Sequence, residues 1–414
     1  MPESEDTAQG QLMIEVTSAL GLIPVENADI RISFTSTPEE VLREVRTNEN
    51  GQTERLELPA PPLALSLEPQ EIRPYEEYNI AVTAPGYEPV SVVASELLPD
   101  ELSVQHIMMN PLEEPKEVRD DILIAPHTLY YDYPPKIPED EIKTIDETGE
   151  IVLSRVVIPE YIVVHDGDPN DNSAPNYYVK YKDYIKNVAS CEIYATWPEA
   201  AIYANILCIM SVTLNRVYTE WYRNQGKNFT ITSSTAYDQK WIYGRNIYEN
   251  ISYLVDSVFN NFLSRPGVSQ PIFTSYCDGV RVECDGLKQW GSKYLAEEGY
   301  SAIEIIRYYY GNDIYINSTI FVSGVPSSFP GYNLSVGAQG AKVAQIQQQL
   351  NRISQNYPAI PRIVADGIYG ERTKEAVETF QRIFLLPVTG IVDYPTWYEI
   401  SDIYVGVTRI AEPG

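Results

Sequence analysis

One carboxylate in the middle of the chain ends an otherwise apolar helical face. Residues spaced four, three and four apart lie on one side of a helix, and here they are Tyr181, Ile185, Val188 and Glu192. Because burial raises the pKa of a carboxyl group, an acid in such a place can serve as a general acid. The alternative is that Glu192 lies at the helix end and reaches solvent, which is the commoner place for an acid.

The scarcity of histidine narrows the chemistry that the chain can perform. It has three histidines, His106, His127 and His165, and none lies between residues 166 and 414. Hydrolases with a Ser-His or Cys-His pair need an imidazole beside the nucleophile, and zinc hydrolases usually need a histidine ligand. Only His165 lies at the edge of the middle region, so carboxylate chemistry is the favoured class.

The net charge of the 414-residue chain, −28, is concentrated in its first third. Residues 1–155 contain 32 acidic and 10 basic side chains, whereas residues 156–414 contain 26 and 20. Nucleic-acid binding needs a basic surface, so this charge balance argues against that function class. The polar, acidic first residues predict no Sec signal peptide, and the absence of a run of about 18 apolar residues predicts no transmembrane helix.

Alternating runs in residues 11–112 predict an N-terminal β-sandwich. The segments 28–34 and 78–84 alternate in part between apolar and polar residues, and turn signals separate such runs. The stretch from Tyr78 to Pro89 resembles the transthyretin-like sandwich that carboxypeptidases carry as a regulatory module. The resemblance implies an interaction or inhibitory role for this part of the chain.

Residues 113–155 are rich in proline and acid, as in the run Tyr133-Pro-Pro-Lys-Ile-Pro-Glu-Asp-Glu. This composition predicts an extended, exposed linker rather than a packed element. An exposed linker between an acidic front and a less acidic body is a natural site of proteolysis.

Residues 156–325 return to a globular pattern with both helices and strands. The apolar run 156–165 predicts a strand, and 229–239 predicts a strand that leads into a polar loop. Helical spacing predicts three helices besides the one that ends near Glu192, and they cover 197–224, 247–263 and 301–310. The predicted fold class is therefore multidomain, with an α+β central domain.

Three ordered blocks within residues 176–317 carry a family resemblance. They read Asp183-Tyr-Ile-Lys-Asn-Val-Ala-Ser-Cys-Glu192 with Trp197-Pro-Glu-Ala, then Ser234-Thr-Ala-Tyr-Asp-Gln239 with Tyr243, then Tyr276-Cys-Asp-Gly with Gln289-Trp-Gly-Ser. With these blocks the region resembles the SpoIID-type lytic transglycosylases of spore-forming bacteria. In that family the first block bears the catalytic glutamate, which corresponds to Glu192.

This resemblance implies cleavage of peptidoglycan between N-acetylmuramic acid and N-acetylglucosamine without water. Glu192 would protonate the leaving oxygen and then accept the proton of the muramic 6-hydroxyl, which closes a 1,6-anhydro ring. One acid suffices because the nucleophile belongs to the substrate. The implied sugar contacts or positioning groups are Tyr237, Asp238, Gln239, Tyr243, Gln289 and Trp290. A loop cap is the alternative for 237–239, and core packing is the alternative for Trp290.

Residues 334–405 contain two amphipathic helices joined through the turn Asp366-Gly-Ile-Tyr-Gly370. The apolar positions are Val343, Ile346, Leu350 and Ile353 in the first helix, and Ala376, Val377, Phe380 and Phe384 in the second. This region resembles the helical peptidoglycan-binding domain, which implies a small all-α C-terminal domain.

The order of an acidic front, a SpoIID-like domain and a peptidoglycan-binding tail resembles the SleC-type spore cortex-lytic enzymes of clostridia. The resemblance implies a zymogen in the spore cortex or cell wall that a protease activates during germination. The implied cut lies between about Asp140 and Val157. The expected partners are peptidoglycan glycan strands and the activating protease, and the chain is expected to be a monomer without a cofactor.

Two other function classes and the state of two cysteines stay open. Some SpoIID-type enzymes hold zinc with cysteines and a histidine, but Thr274 stands near Cys277 and Cys284 where that histidine is expected. The two cysteines can form a disulfide in an oxidising compartment or remain free thiols. The chain can also be a non-catalytic wall-binding scaffold, or a zinc amidase that cuts the peptide stem, although the few histidines disfavour an amidase.

Overall fold

Two five-stranded sheets form the front of the molecule. The computed structural model describes residues 8–19, 22–112, 120–131, 133–143 and 155–408. The front strands are β1 (Ala8–Ser18), β2 (Ile23–Pro24), β3 (Asp29–Phe34), β4 (Val41–Arg46), β5 (Leu56–Ala60), β6 (Glu76–Thr83), β7 (Val90–Leu97), β8 (Leu102–Met109) and β9 (Asp120–Leu123). One sheet has the order β4-β3-β6-β7-β9, and the other contains β8, β1, β2 and β5 together with a strand from the central domain.

Alternate residues of these strands point into one core that the two sheets share. Ile30 and Ile32 of β3 pair with Val82 and Ile80 of β6, and all four side chains are at most 1% exposed. β-Branched side chains at every second position fit a strand with one buried face. The two-sheet front therefore agrees with the alternation in the sequence.

The described part of the predicted linker is packed rather than exposed. Strand β9 pairs in parallel with β7 and so extends the first sheet. The side chains of Ile124, His127 and Tyr133 are at most 4% exposed. The prediction of an exposed linker over 113–155 is therefore wrong for the residues that the structure describes. Apolar and aromatic side chains recur between the prolines and acids, and their burial offsets the cost of ordering the segment.

The central domain surrounds one buried helix. Its elements are β10 (Tyr161–His165), β11 (Asn176–Lys180), α1 (Tyr181–Glu192), α2 (Glu199–Tyr218), β12 (Ile231–Thr232), β13 (Ile247–Tyr248), α3 (Glu249–Val258), β14 (Asn261–Ser264), β15 (Tyr276–Cys277), β16 (Leu287–Lys288), α4 (Gln289–Glu297), α5 (Ala302–Tyr310) and β17 (Tyr315–Ser318). Helix α2 packs against α1, α4, α5 and β14. The strands form a three-stranded sheet, β11-β10-β12, and the pairs β14-β17 and β15-β16.

Helix α2 is apolar on most sides. By length and composition it could cross a membrane, and 83% of its most apolar window is buried inside the protein, as in the core helix of a folded domain. The helix ends at Tyr218 rather than near Asn224, because Glu220 has a left-handed backbone conformation with φ of 48°. The predicted helix over 247–263 is also shorter, since α3 gives way to β14.

Three helices form the C-terminal domain, α6 (Ala341–Ile353), α7 (Glu371–Ile383) and α8 (Tyr394–Thr408). The predicted apolar positions Val343, Ile346 and Leu350 are at most 1% exposed, as helical spacing requires. Two buried glutamines, Gln347 and Gln381, hold the turns by hydrogen bonds to neighbouring backbone groups. The predicted two-helix core is therefore confirmed, and α8 completes it.

Helix α1 is anchored by both flanking domains. At its start, the Lys182 ammonium pairs with Glu399 and Asp402 of α8, both at 2.8 Å. Near its end, Cys191 contributes to the hydrophobic core of the front domain. Strand β13 pairs with β8 of the front sheet, so the central domain supplies a strand to that sheet. The position of Glu192 therefore depends on all three parts of the chain.

Candidate active site

Helix α1 ends at Glu192, where the chain changes from helical to extended backbone at Ile193. The apolar face of the helix is buried, with Tyr181, Ile185 and Val188 at most 2% exposed. Glu192 itself is 0% exposed. The predicted helical face is therefore confirmed, and the alternative in which the acid reaches solvent is wrong for this structure.

Both carboxylate oxygens of Glu192 accept a hydrogen bond. The backbone N–H of Lys240 donates to Oε1 at 2.8 Å, and the side-chain amide of Gln289 donates to Oε2 at 3.1 Å. The same amide nitrogen donates to the backbone oxygen of Glu192 at 3.0 Å. Gln289 is the first residue of α4 and is 0% exposed, so it holds the acid in one orientation.

The amide of Gln289 can serve both protonation states of Glu192. Its Oε1 has no hydrogen-bond partner among the described residues. An amide offers a donor at nitrogen and an acceptor at oxygen. If the amide turns over, Oε1 can accept the proton of a neutral carboxylic acid, whereas Nε2 donates to the carboxylate. This pairing suits an acid that gives up a proton and takes it back.

Asp238 is held by the protein on both carboxylate oxygens. One oxygen accepts from Arg216 Nε at 2.6 Å, and the other accepts from the Tyr222 hydroxyl at 2.8 Å and from the backbone N–H and the hydroxyl of Thr232 at 3.0 and 2.7 Å. The side chain is 3% exposed. Its acceptor sites are therefore used to fix the loop that carries Lys240.

Gln239 is also committed to the protein. Its side-chain oxygen accepts from the hydroxyls of Tyr184 and Thr213 at 3.2 and 3.0 Å, and its nitrogen donates to the backbone oxygen of Ile209 at 3.1 Å. Tyr237 is partly exposed and lines a small cleft beside Asp238. Of the predicted residues 237–239, only Tyr237 thus keeps a side chain that a ligand can reach.

Three aromatic rings pack together next to the loop, and Tyr243 is the exposed one. Tyr243 is 47% exposed and stacks on Tyr177 with ring centroids 5.0 Å apart. Trp241 packs against Tyr177 at 5.2 Å and is 4% exposed. Lys240 donates to Glu192, and Trp241 and Tyr243 come one and three residues after Lys240 in sequence, so the rings lie near the acid. An exposed stacked ring offers a flat apolar face of the kind that sugar rings pack on.

Trp290 belongs to the core, so the alternative of core packing is correct and its ring is not exposed for the expected sugar contact. Its ring lies 4.9 Å from Trp197 and 6.0 Å from Tyr194, and it is 3% exposed. Its neighbour Gln289 reaches Glu192 from the same turn of α4. Trp290 therefore supports the acid indirectly by fixing the start of α4.

A segment of the predicted linker lies across this site, and we call it the strap (residues 127–131 and 133–143). His127 Nε2 lies 3.3 Å from the backbone oxygen of Ile193, and the Thr128 N–H donates to the backbone oxygen of Cys191 at 3.2 Å. Cys191 and Ile193 are the residues directly before and after Glu192. The strap therefore contacts the chain on both sides of the acid.

Lys136 brings an ammonium group into the site. Its Nζ donates to the backbone oxygen of Asp238 at 2.9 Å and lies 4.8 Å from the centre of the Tyr276 ring. Burial lowers the pKa of Lys136 below its usual value, and the charges of Glu192 and Asp238 oppose this only in part. Burial raises the pKa of Tyr133 well above its usual value, and the charge of Glu192 adds to this. Both strap side chains thus lie within electrostatic reach of the acid.

The strap leaves little room beneath it. The backbone N–H of Ile137 donates to Ala236 at 2.9 Å, and the Phe273 N–H donates to Glu141 at 2.8 Å. The cavity between Lys136, Asp238, Tyr276 and their neighbours has a volume of about 10 Å³, which is room for at most one water molecule. A sugar ring cannot enter here while the strap stays in place.

The two cysteines of the third sequence block, Cys277 and Cys284, are joined in a disulfide. Thr274 is buried and donates its hydroxyl to the backbone oxygen of Cys208 at 2.9 Å, so it packs as a core residue. No group of three or more potential metal ligands was found among the described residues. Cys191 and Cys208 are buried free thiols.

Sequence reasoning missed the strap residues that reach the site, His127, Tyr133 and Lys136. It also missed Arg216, which fixes Asp238. The strap lies 49 to 65 residues before Glu192 in sequence and has no regular period. The one available signal was the recurrence of tyrosine and lysine inside a proline-rich run.

Comparison with known proteins supports the assignment of the C-terminal domain. Residues 339–400 match the peptidoglycan binding domain family. No curated protein matches the chain. The family match covers the three-helix domain and supports a protein that acts at the cell wall.

Several solved structures share short stretches with this chain. The SleB N-terminal domain is 28% identical, with 18% of this chain and 97% of that chain covered and a TM-score of 0.16. The minor pilin GBS52 of Streptococcus agalactiae is 10% identical, with coverages of 27% and 48% and a TM-score of 0.18. The chlorocatechol 1,2-dioxygenase of Pseudomonas putida is 12% identical, with coverages of 29% and 61% and a TM-score of 0.16. These TM-scores are too low to support an argument about fold or function.

Proposed function

We propose that the chain is a lytic transglycosylase that cleaves peptidoglycan between N-acetylmuramic acid and N-acetylglucosamine. The observation that carries the proposal is Glu192, a fully buried acid held by the Lys240 N–H and the Gln289 amide. The strap contacts the backbone on both sides of Glu192, and we infer that it must move before a sugar can enter. A buried, oriented carboxyl group is what general acid catalysis of glycosidic cleavage requires.

In the first half of the reaction, the Glu192 carboxyl gives its proton to the glycosidic oxygen as the bond from the anomeric carbon to that oxygen breaks. In the second half, the muramic 6-hydroxyl oxygen bonds to the same carbon, and its proton returns to Glu192. No water is consumed and the acid is regenerated. Gln289 supports each state in turn, through Oε1 for the acid and Nε2 for the carboxylate.

A second catalytic carboxylate is not required by this route. Two other carboxyl groups near the site, Asp238 and Asp278, are saturated by donors. Asp278 accepts from the backbone N–H groups of Val280, Arg281 and Val282 and from the Arg281 side chain. Ordinary glycosidases pair two free carboxyl groups about 5–10 Å apart. The arrangement therefore supports a substrate-supplied nucleophile.

Substrate contacts are assigned to the groups that a ligand can reach. The exposed ring of Tyr243, stacked on Tyr177, would pack against a sugar ring of the glycan strand, and Tyr237 would line the cleft. Asp238, Gln239 and Trp290 would hold the site rather than bind sugar. The peptidoglycan-binding domain would keep the enzyme on the glycan.

The proposed setting is the spore cortex or cell wall during germination, as in SleC-type spore cortex-lytic enzymes. The chain would be made as a zymogen and cut by a protease between about Asp140 and Val157. Most of that interval, 144–154, lies outside the described residues. The strap supports the zymogen, because it contacts the backbone on both sides of Glu192 and its last residues, 140–143, lie within that interval.

Two rival functions predict different results. A wall-binding scaffold would give no cleavage products, and its behaviour would be the same with Glu192→Gln. A zinc amidase would release peptide stems and would lose activity with a chelator. The disulfide between Cys277 and Cys284 leaves those sulfurs bonded to each other, which does not favour a zinc site there.

The test is digestion of spore cortex peptidoglycan with the full chain after a protease has cut it within 144–154. Mass spectrometry of the soluble products should reveal muropeptides with 1,6-anhydro ends. Products with only reducing ends would overturn the transglycosylase reaction. Uncut chain and cut Glu192→Gln chain serve as controls and should release little product.

A further inference from the structure

Two glutamates of the strap each bind an arginine through paired hydrogen bonds. Glu139 accepts from Nη1 and Nη2 of Arg216 at 2.8 and 2.6 Å. Glu141 accepts from Nε and Nη2 of Arg265 at 2.6 and 2.8 Å. Such a two-pronged contact is the geometry with which arginine recognises a carboxylate ligand. The two acids therefore mark two carboxylate-binding sites in the central domain.

Each arginine has a second partner outside the strap. Arg216 donates Nε to Asp238 at 2.6 Å, and Arg265 pairs with Asp313 and donates to the backbone oxygen of Tyr310. These partners keep the guanidinium groups oriented when the strap is gone. The edges that now face Glu139 and Glu141 would then be open to another carboxylate.

The two arginines lie along the path that the strap takes after Lys136. Lys136 of the strap contacts the backbone of Asp238, whose carboxylate holds Arg216. Glu139 and Glu141 follow Lys136 by three and five residues. In an extended chain these separations span up to about 10 and 17 Å. The anion sites are thus within the length of a short peptide from the place that Lys136 occupies.

We propose that Arg216 and Arg265 bind carboxylates of the peptide stem of peptidoglycan, and that Glu139 and Glu141 occupy these sites in the uncut chain. This inference rests on the proposed function, because it takes the reacting sugar to lie beside Glu192. Muramic acid carries a peptide with free carboxylates, which can extend along the track of the strap. The favoured substrate class is glycan that keeps its stems.

The strap then substitutes for both parts of the substrate. Lys136 lies where the reacting sugar is expected, and the two acids lie where stem carboxylates are expected. Substrate and strap cannot bind together, since the space beneath Lys136 has a volume of about 10 Å³. The strap is therefore a competitor that is covalently part of the uncut chain.

Binding of two defined ligands tests the inference. The ligands are a muropeptide tetrasaccharide with intact stems and the same tetrasaccharide after an amidase has removed them. The protein is the full chain with Glu192→Gln, cut within 144–154, and affinity is measured by calorimetry. We expect the stem-bearing ligand to bind about tenfold or more tightly, as charge-assisted paired hydrogen bonds provide.

The substitutions are made at Arg265, because Arg216 is fully buried and its replacement can unfold the chain. Arg265→Gln should reduce the preference for the stem, because only the Arg216 site remains. Arg265→Lys should restore part of it, since lysine keeps the charge but cannot form the paired hydrogen bonds. The matched control is Arg31→Gln, which breaks an exposed pair with Glu44 in the front domain and should change nothing. In uncut chain, Glu141→Gln should strengthen binding of the stem-bearing ligand.

Equal affinity for the two ligands, tighter binding of the bare glycan, or an unchanged preference in Arg265→Gln would overturn the inference. Failure of the proposed function looks different. In that case cut chain with an intact Glu192 would yield no anhydro products, while stem-dependent binding would persist. Conversely, equal rates of anhydro product from both ligands would refute the stem sites and leave the transglycosylase in place.

Discussion

Gln289 offers a direct test of how Glu192 is positioned. The substitution Gln289→Met keeps the side chain nearly the same size. It removes both hydrogen bonds that the amide nitrogen donates to Glu192, at 3.1 Å to Oε2 and 3.0 Å to the backbone oxygen. A hydrogen bond to a charged group contributes about 1.5–3 kcal/mol. Loss of the carboxylate contact should therefore lower kcat by about 10- to 100-fold. KM should change little, because Gln289 is buried behind the acid.

The assay is release of anhydro muropeptides by cut chain, with kcat and KM measured separately. The matched control is Gln347→Met, which removes a buried glutamine with four hydrogen bonds in the peptidoglycan-binding domain. That variant should be less stable but should keep kcat. A Gln289→Met enzyme with unchanged kcat, or with a raised KM at the same kcat, would refute the positioning role.

Three further predictions concern the surface, the domain interface and pH. Tyr243→Ala should weaken glycan binding by about 2- to 12-fold, from an exposed stacking contact worth about 0.5–1.5 kcal/mol, without a change in thermal stability. Unchanged affinity would exclude this ring from binding. Glu96→Gln leaves the buried Arg245 guanidinium unpaired, which should cost about 3–5 kcal/mol in urea unfolding; a loss under about 1 kcal/mol would contradict this. Burial raises the pKa of Glu399, but Lys182 and other lysines outweigh it and lower the pKa to about 2. The folded pKa lies below the unfolded value of about 4.5, so this stabilisation is present above pH 4.5 and is lost as pH falls toward 2. Thermal unfolding followed over that range should lose this pH dependence in Glu399→Gln, and an unaltered curve would count against it.

The elements with a regular period were the ones that sequence could predict. Helices α1, α6 and α7 follow from apolar residues at helical spacing, and the burial of Val188 and Ile346 agrees. Helix α8 was not predicted. The end of α2 was missed because it depends on one left-handed residue, Glu220. A periodic pattern does not report such a local backbone state.

The candidate site could be predicted only in part, because its contacts join distant residues. Glu192 followed from position and residue type, but its partner Gln289 lies 97 residues away. Asp238 and Gln239 are saturated by protein groups, which no sequence pattern reveals. The strap looked like a linker because its composition is polar, whereas its partners, such as Arg216 for Glu139, are supplied by the fold.

The central claim is that Glu192 performs transglycosylation once the strap has moved. The measurement that tests it most directly is mass spectrometry of cortex peptidoglycan digested by cut chain, with cut Glu192→Gln as its partner. We expect 1,6-anhydro muropeptides from the first digest and none above background from the second. Reducing-end products, or anhydro products that persist at the same rate in Glu192→Gln, would contradict it.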